Sequence, residues 1–159
     1  MNAKNENSFL ENDYFTKLMF SYKKLGKFTY HIIRNTEEIK SFLLNWIVKE
    51  WQQDHEEFPD QRWTIEWLDL LPELKFKLSI VNIDDINLRE DLLNYNSNNY
   101  NFLETLDNRG EEMEQSILQG SSIGPLIIRN EGFELMDGHT RYMILKKHQQ
   151  DKTYAYVGF

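Results

Sequence analysis

The stretch ELMDGHTRYMILKKH, residues 134–148, constrains the fold more than any other part of this chain. An apolar segment ends at Met136, Asp137-Gly138 breaks it, and a helix-forming run begins near His139 or Thr140. Asp-Gly is a turn dipeptide because glycine tolerates backbone angles that other residues avoid. A strand, a tight turn and a helix in immediate succession leave the first N–H groups of the helix unpaired and partly positive. Gly138 lets a ligand approach the backbone, and the N–H groups of His139, Thr140 and Arg141 can then converge on a phosphate. Arg141 and His139 can add charge-assisted contacts, and Thr140 a hydroxyl. Asp137 can bind a metal through a phosphate-bridging ion, accept a proton, or cap the helix. The alternatives stay open at this point: Asp137 as a cap alone, His139 as an exposed helix-start residue, Arg141 as the partner of one of the many acids.

The segments around this turn read in order. Residues 8–25 carry Phe15, Leu18, Met19, Tyr22 and Leu25 at helical spacing, with Gly26 as a stop. KFTYHII, 27–33, reads as a strand. Asn35 with Glu38 resembles a capping box, and Ile39, Phe42, Leu43, Trp46, Ile47 and Trp51 form the apolar stripe of a helix that DHEEFPD, 54–60, ends. A short helix is expected over 63–71, stopped before Pro72. Alternation predicts a strand over 74–83, and the asparagine-rich run 94–102 a loop. An acidic-start helix spans 110–120 with Gly120 as its cap. A hairpin turns at Asn130-Glu131-Gly132, and 153–159 is a final strand. The best boundary lies near residue 72, with a mainly helical region at 1–72 and a strand-rich domain at 73–159. The class is α+β, a small mixed sheet with helices.

Composition narrows function. The net charge of −8 comes from both halves of the chain, and no basic block or stripe is present, so a nucleic-acid groove is disfavoured. The absence of cysteine removes thiolate metal sites and cysteine nucleophiles. No apolar run of membrane-spanning length occurs, and MNAKNENSFLENDYF lacks the pattern of a secretory signal, so a cytoplasmic location is expected. His55-Glu56-Glu57 is not a zinc-binding His-Glu-x-x-His motif, because Pro59 stands in the second histidine's place. Trp46, Trp51, Trp63 and Trp67 can stack a base or sugar, but core packing is the better reading of these residues.

Residues 76–159 resemble the ParB/sulfiredoxin superfamily. The likeness is carried by Ser116, Ile117 and Gly120, by Pro125-Leu126, and by Asp137, Gly138, His139, Arg141 and Tyr142, in register with a "DGHHR"-like box. The resemblance implies a nucleotide or phosphate site at the start of the helix after the box, with an NTP (ATP or CTP) and Mg²⁺ as ligands. Gly138, His139, Thr140 and Arg141 would cradle phosphates, and Asp137 would help hold the metal or orient a small-molecule acceptor. Where sulfiredoxins carry Cys-His-Arg this chain has His139-Thr140-Arg141, and the missing cysteine disfavours their repair chemistry. Partition proteins have two adjacent arginines in the box and a helix-turn-helix domain beyond it; here Thr140 precedes the single Arg141, and a chromosome-partition role is not expected. The box is nearest to that of the small-molecule kinases, with Thr140 replacing a second histidine. Such kinases need an upstream carboxylate; of Glu90, Glu104 and Glu111, Glu104 is preferred. The expected function is therefore a phosphotransferase or NTP hydrolase, with Asp137, His139 and Glu104 as its catalytic groups. The alternatives are a regulatory module engaging a protein partner through the N-terminal helices, or a DNA-acting protein or nuclease.

Overall fold

A computed structural model of the protein describes residues 20–97 and 100–159. A hairpin of β1 (Ser21–Leu25) and β2 (Phe28–Ile32) comes first, followed by α1 (Thr36–Glu57) and α2 (Arg62–Leu70). Next are β3 (Phe76–Asn82), the one-turn α3 (Glu90–Leu93), the two-residue pair β4 (Asn96–Ser97) and β5 (Tyr100–Asn101), and α4 (Phe102–Leu118). The chain closes with β6 (Leu126–Arg129), β7 (Glu134–Asp137), α5 (His139–Lys147) and β8 (Lys152–Gly158). The main sheet has four strands in the order β3-β8-β6-β7. Only β6 and β8 run parallel; β3 pairs antiparallel with β8, and β7 with β6. This is the expected α+β class with a small mixed sheet.

Each face of that sheet carries its own core. Ile127, Met136, Tyr156 and Phe76 point to one side, where they meet Ile39, Leu43, Ile47 and Trp51 of α1 and Trp63 and Trp67 of α2. Their strand neighbours Leu126, Ile128, Leu135, Ala155 and Val157 point to the other, against Phe28, Tyr30 and Ile32 of the hairpin and Ile144 and Leu145 of α5. A sheet covered on both faces needs apolar residues at successive positions, which is why LII reads as an unbroken run instead of an alternation. Both cores draw residues from either side of residue 72.

Two buried tyrosines lock the layers together. Tyr156 Oη accepts the backbone N–H of Ile33 at 3.0 Å, just before α1. Tyr30 Oη and Thr153 Oγ1 lie 2.8 Å apart, tying β2 to β8. A bridge from Tyr30 to Ile123 joins the hairpin to the segment entering β6. No helix among the described residues is long and apolar enough to cross a membrane.

Four local expectations are corrected. Ser21–Leu25 is a strand, not the end of a helix, and the rest of the expected 8–25 helix lies outside the described residues up to 19. Gly26, at φ 62°, turns the chain so that Leu25 pairs with Phe28, and this pairing outweighs a helical spacing of only a few residues. Helix α1 continues to Glu57, since Glu56 and Glu57 are good helix formers and Phe58 N–H still bonds Asp54 O. The asparagine-rich segment contains the β4–β5 pair, and its last asparagine starts a helix: Asn101 Oδ1 accepts from Glu104 N–H at 3.0 Å. Helix α4 therefore begins at Phe102, and Gly110 lies inside it.

The Asn35 cap stands as expected, its Oδ1 accepting the N–H groups of Glu37 at 2.9 Å and Glu38 at 3.1 Å. Asn35→Ala should cost about 1 kcal/mol and lower Tm by about 2–4 °C. A thermal melt that leaves Tm unchanged would show that α1 does not depend on this cap.

Candidate functional site

Strand β7 delivers Asp137 to the sheet's edge, and α5 starts two residues later. Gly138 between them adopts φ 99°. A Cβ there would stand 2.7 Å from both Arg141 Nη2 and Leu126 Cδ2, so the turn demands glycine twice over, by angle and by space. Among the described residues no side-chain cap bond to α5 is present, and no acid stands in its first turn. Tyr142 N–H bonds Gly138 O at 2.8 Å, and the first-turn N–H groups of His139, Thr140 and Arg141 precede that first helical bond.

Arg141 folds back over this turn. Its side chain is 8% exposed, and Nη2 donates to Asp137 Oδ2 at 3.0 Å. Asp137 thus holds the arginine and does not cap the helix. The space for the guanidinium is cleared from a second side by Gly124, where a Cβ would lie 3.3 Å from Nη1. His139 is no exposed helix-start residue. Its ring stacks on Trp67 at 6.5 Å between centroids and meets Phe102 edge-on at 5.5 Å. Part of the residue is open to solvent, but Nε2 is sealed. Burial first, and the Arg141 charge second, push its pKa down to about 4. His139 is therefore neutral at pH 7 and offers a ligand one donor or acceptor without a charge.

The turn forms the floor of a cleft of about 1000 Å³. One wall is α1, which presents Trp46, Glu50 and Asp54, spaced four residues apart on one face. The opposite wall is α4, with Phe102, Thr105 and Arg109, and Trp63 and Trp67 of α2 line the base. Burial, then the nearby Asp137 charge, raise the Glu50 carboxyl to about 7. Asp54 lies at the mouth with an exposed outer side, yet partial burial of its carboxyl also raises its pKa, against the pull of Arg109. Among the described residues, four buried polar atoms without a hydrogen-bond partner belong to this cleft: Trp46 Nε1, Glu50 Oε1, His139 Nε2 and Arg141 Nε. Such atoms are uncommon in folded proteins, and each costs about 1–3 kcal/mol if left dry.

The structure brings Asp137, Gly138, His139, Thr140 and Arg141 together on the cleft floor. Glu104 does not join them. It is exposed in the first turn of α4, and neither it nor Glu90 or Glu111 lines the cleft. The carboxylates that do face the turn are Glu50 and Asp54. Their signal was present in the sequence as the 46-50-54 spacing beside the 39-43-47-51 stripe, but acids beside an apolar stripe ordinarily mark a solvated face. Among the described residues, no group of three or more histidines and acids is placed to hold a metal ion.

No protein-family model matches the chain, and no curated protein matches it. Solved structures similar to part of it include two pNOB8-like ParB N-domains. One, a pNOB8-like ParB N-domain in a C2221 crystal form, is 25% identical over 55% of this chain and 30% of that chain, with a TM-score of 0.41. The other, also a pNOB8-like ParB N-domain, is 25% identical over 54% of this chain and 28% of that chain, with a TM-score of 0.39. This chain spans less than a third of the length of either.

The Glu50 shift has a defined sign. The folded state holds the Glu50 proton more tightly than the unfolded chain, whose value is 4.5. The stability this contributes is complete below 4.5 and is lost as pH rises through about 7. Glu50→Gln removes the loss. At pH 8 the variant should be more stable than the parent by about 1–2 kcal/mol, after solvent screening of a ceiling near 3 kcal/mol. Near pH 5 the two should melt together. Equal Tm values at pH 8 in denaturation scans would contradict the burial of this carboxyl.

Proposed function

We propose that the cleft binds a nucleotide through its phosphates, held by the Gly138–Arg141 turn. The observation that carries this reading is the meeting of an uncapped helix N-terminus with a buried guanidinium whose Nε has no partner. Both are hydrogen-bond donors with positive character on residues that line the same cleft, and phosphate oxygens are acceptors suited to them. Trp46 Nε1 adds a third unpartnered donor on the α1 wall. The volume of about 1000 Å³ accommodates a nucleoside triphosphate, with Trp46 and Phe102 beside it as surfaces for a base. Neutral His139 can hydrogen-bond a phosphate without adding charge.

Mg²⁺ fits this reading only as a shared ion. Asp137 would supply one protein oxygen and the phosphates the others, and the ion would neutralise phosphate charge. Transfer of a phosphoryl group to a small acceptor, or to water, is the finer reading. It needs a carboxylate that can take the acceptor's proton. Glu50, facing the turn with a pKa near 7, suits that task better than exposed Glu104. A DNA-acting role is less well supported: Glu50, Asp54 and Asp137 line the same cleft, and the chain's net charge is −8.

The test is a thermal-shift series with ATP, CTP, GTP and ADP in the presence of Mg²⁺. A ligand at about 100 times its Kd adds about 2.7 kcal/mol, a rise of about 5–11 °C at about 2–4 °C per kcal/mol. Arg141→Lys keeps the charge but loses the planar fork, and should remove most of that rise while circular dichroism reports a folded protein. No rise with any of the four, or an equal rise in Arg141→Lys, would overturn the proposal. Binding without turnover of ATP or CTP would place the protein among nucleotide sensors instead of enzymes.

A further inference from the structure

Gly124 is a glycine for want of space, not for its backbone angle. Its φ lies outside the left-handed region, so a side chain there would bring no backbone strain. A Cβ would nonetheless lie 3.2 Å from His31 Nε2 and 3.3 Å from Arg141 Nη1. The imidazole from β2 and the guanidinium from α5 therefore both pack on Gly124. Both also line a second, small cavity of about 10 Å³, which shares Trp46 and Arg141 with the cleft. That is room for about one water, so the guanidinium has little space to retreat on this side.

His31 is held firmly enough to act as a stop. The residue is 5% exposed. Its Nδ1 lies 2.9 Å from Ser122 Oγ, and Phe20 meets the ring edge-on at 5.2 Å between centroids. Its backbone N–H bonds Ile123 O at 3.0 Å, while Ile123 N–H bonds Thr29 O at 2.9 Å. The hairpin thus fixes the ring and the segment around Gly124 as one unit. The other end of the guanidinium, Nη2, donates to Asp137 at 3.0 Å. A fork gripped only at Nη2 keeps the freedom to swing about that bond, and a packed neighbour at Nη1 removes it.

We propose that His31, packed across Gly124, is a positioning residue for Arg141: its ring bounds the Nη1 end of the guanidinium and so fixes the aim of the fork that meets phosphate. The functional consequence rests on the nucleotide reading, whereas the placement of the guanidinium is a property of the ligand-free protein. The N-terminal hairpin thereby takes part in the site although none of its described residues lines the cleft. Taking the ring away enlarges the small cavity and lets the guanidinium withdraw into it. A methyl group at Gly124 presses on the same two groups from between them. The two changes should oppose each other, since the space freed by one takes up the methyl of the other.

The experiment is a double-mutant cycle of His31→Ala, Gly124→Ala and the two combined. Gly110→Ala serves as control, a helical glycine with open space where its Cβ would stand. Two quantities are read on the full chain, shown by circular dichroism to be folded: the Arg141 Nε–H resonance without ligand, and the Kd for ATP with Mg²⁺ by calorimetry. Where His31→Ala does not fold, His31→Gln, which keeps a polar side chain, takes its place. Each single change at 31 or 124 should shift the resonance and weaken ATP binding by about tenfold, the scale of one charge-assisted hydrogen bond. The double variant should recover to within about threefold of the parent, which additive damage does not allow. Gly110→Ala should change neither quantity. A resonance unmoved by both single changes, a shift with no loss of ATP affinity in a parent that binds ATP, or losses that simply add in the double variant would overturn the proposal. A parent that binds no ATP sinks the nucleotide reading, and the resonance still decides whether His31 and Gly124 set the guanidinium.

Discussion

The Arg141–Asp137 pair, closed across Gly138, is the contact on which the site depends. It links the last residue of β7 to the first turn of α5, four positions apart, with 3.0 Å between Nη2 and Oδ2. The pair is mostly buried, so either partner alone would be an uncompensated charge in a poor solvent. Gly138 makes the closure possible, since any side chain there would strike the guanidinium and Leu126. Once closed, the turn fixes the direction of α5, sets the His139 ring between Trp67 and Phe102, and leaves Arg141 Nε buried without a hydrogen-bond partner. The sheet beneath is a rigid support, with apolar layers on both faces and tyrosine hydroxyls tying strands to the flanking segments.

The cleft carries a cost that the cores offset. A carboxyl raised to about 7, a histidine lowered to about 4, and four buried unpartnered atoms are all features that a fold selected for stability alone would remove. The two titrations work in opposite directions. His139 favours the folded state above its unfolded value near 6.5 and loses that contribution as pH falls toward 4. Glu50 favours it in acid and loses its contribution as pH rises through about 7. Four of the unpartnered buried atoms found among the described residues fall in this one concave site, together with Glu50 and His139.

Much of the fold was legible because the signals were local. Gly138 and Asp137 announced the strand–turn–helix, Asn35 announced the start of α1, and the glycine-containing turn at 130–132 announced the β6–β7 hairpin. The floor of the site followed from the same residues. What the sequence could not show was set by distant pairing. Ser21–Leu25 became a strand because β2 lay across the Gly26 turn, and Asn101 proved to be a helix cap inside what read as a loop. The α1 wall was missed for a related reason. Glu50 and Asp54 look like solvated acids until the fold sets α4 and the Asp137 turn opposite them, and burial then changes their chemistry. Exposed Glu104 was the natural sequence choice for the upstream carboxylate, yet the site has its carboxylates on a helix much earlier in the chain.

The central claim is that this cleft is a polar site completed by a ligand, with His139 neutral at its floor. The most direct measurement is the ¹⁵N shift of the His139 ring nitrogens, followed from pH 8 to pH 5 and then through an ATP–Mg²⁺ titration. The ring is predicted to stay neutral throughout that range, since its pKa is held near 4, and its nitrogens are predicted to shift when nucleotide fills the cleft beside it. A ring that titrates near 6.5 and ignores the nucleotide would contradict it.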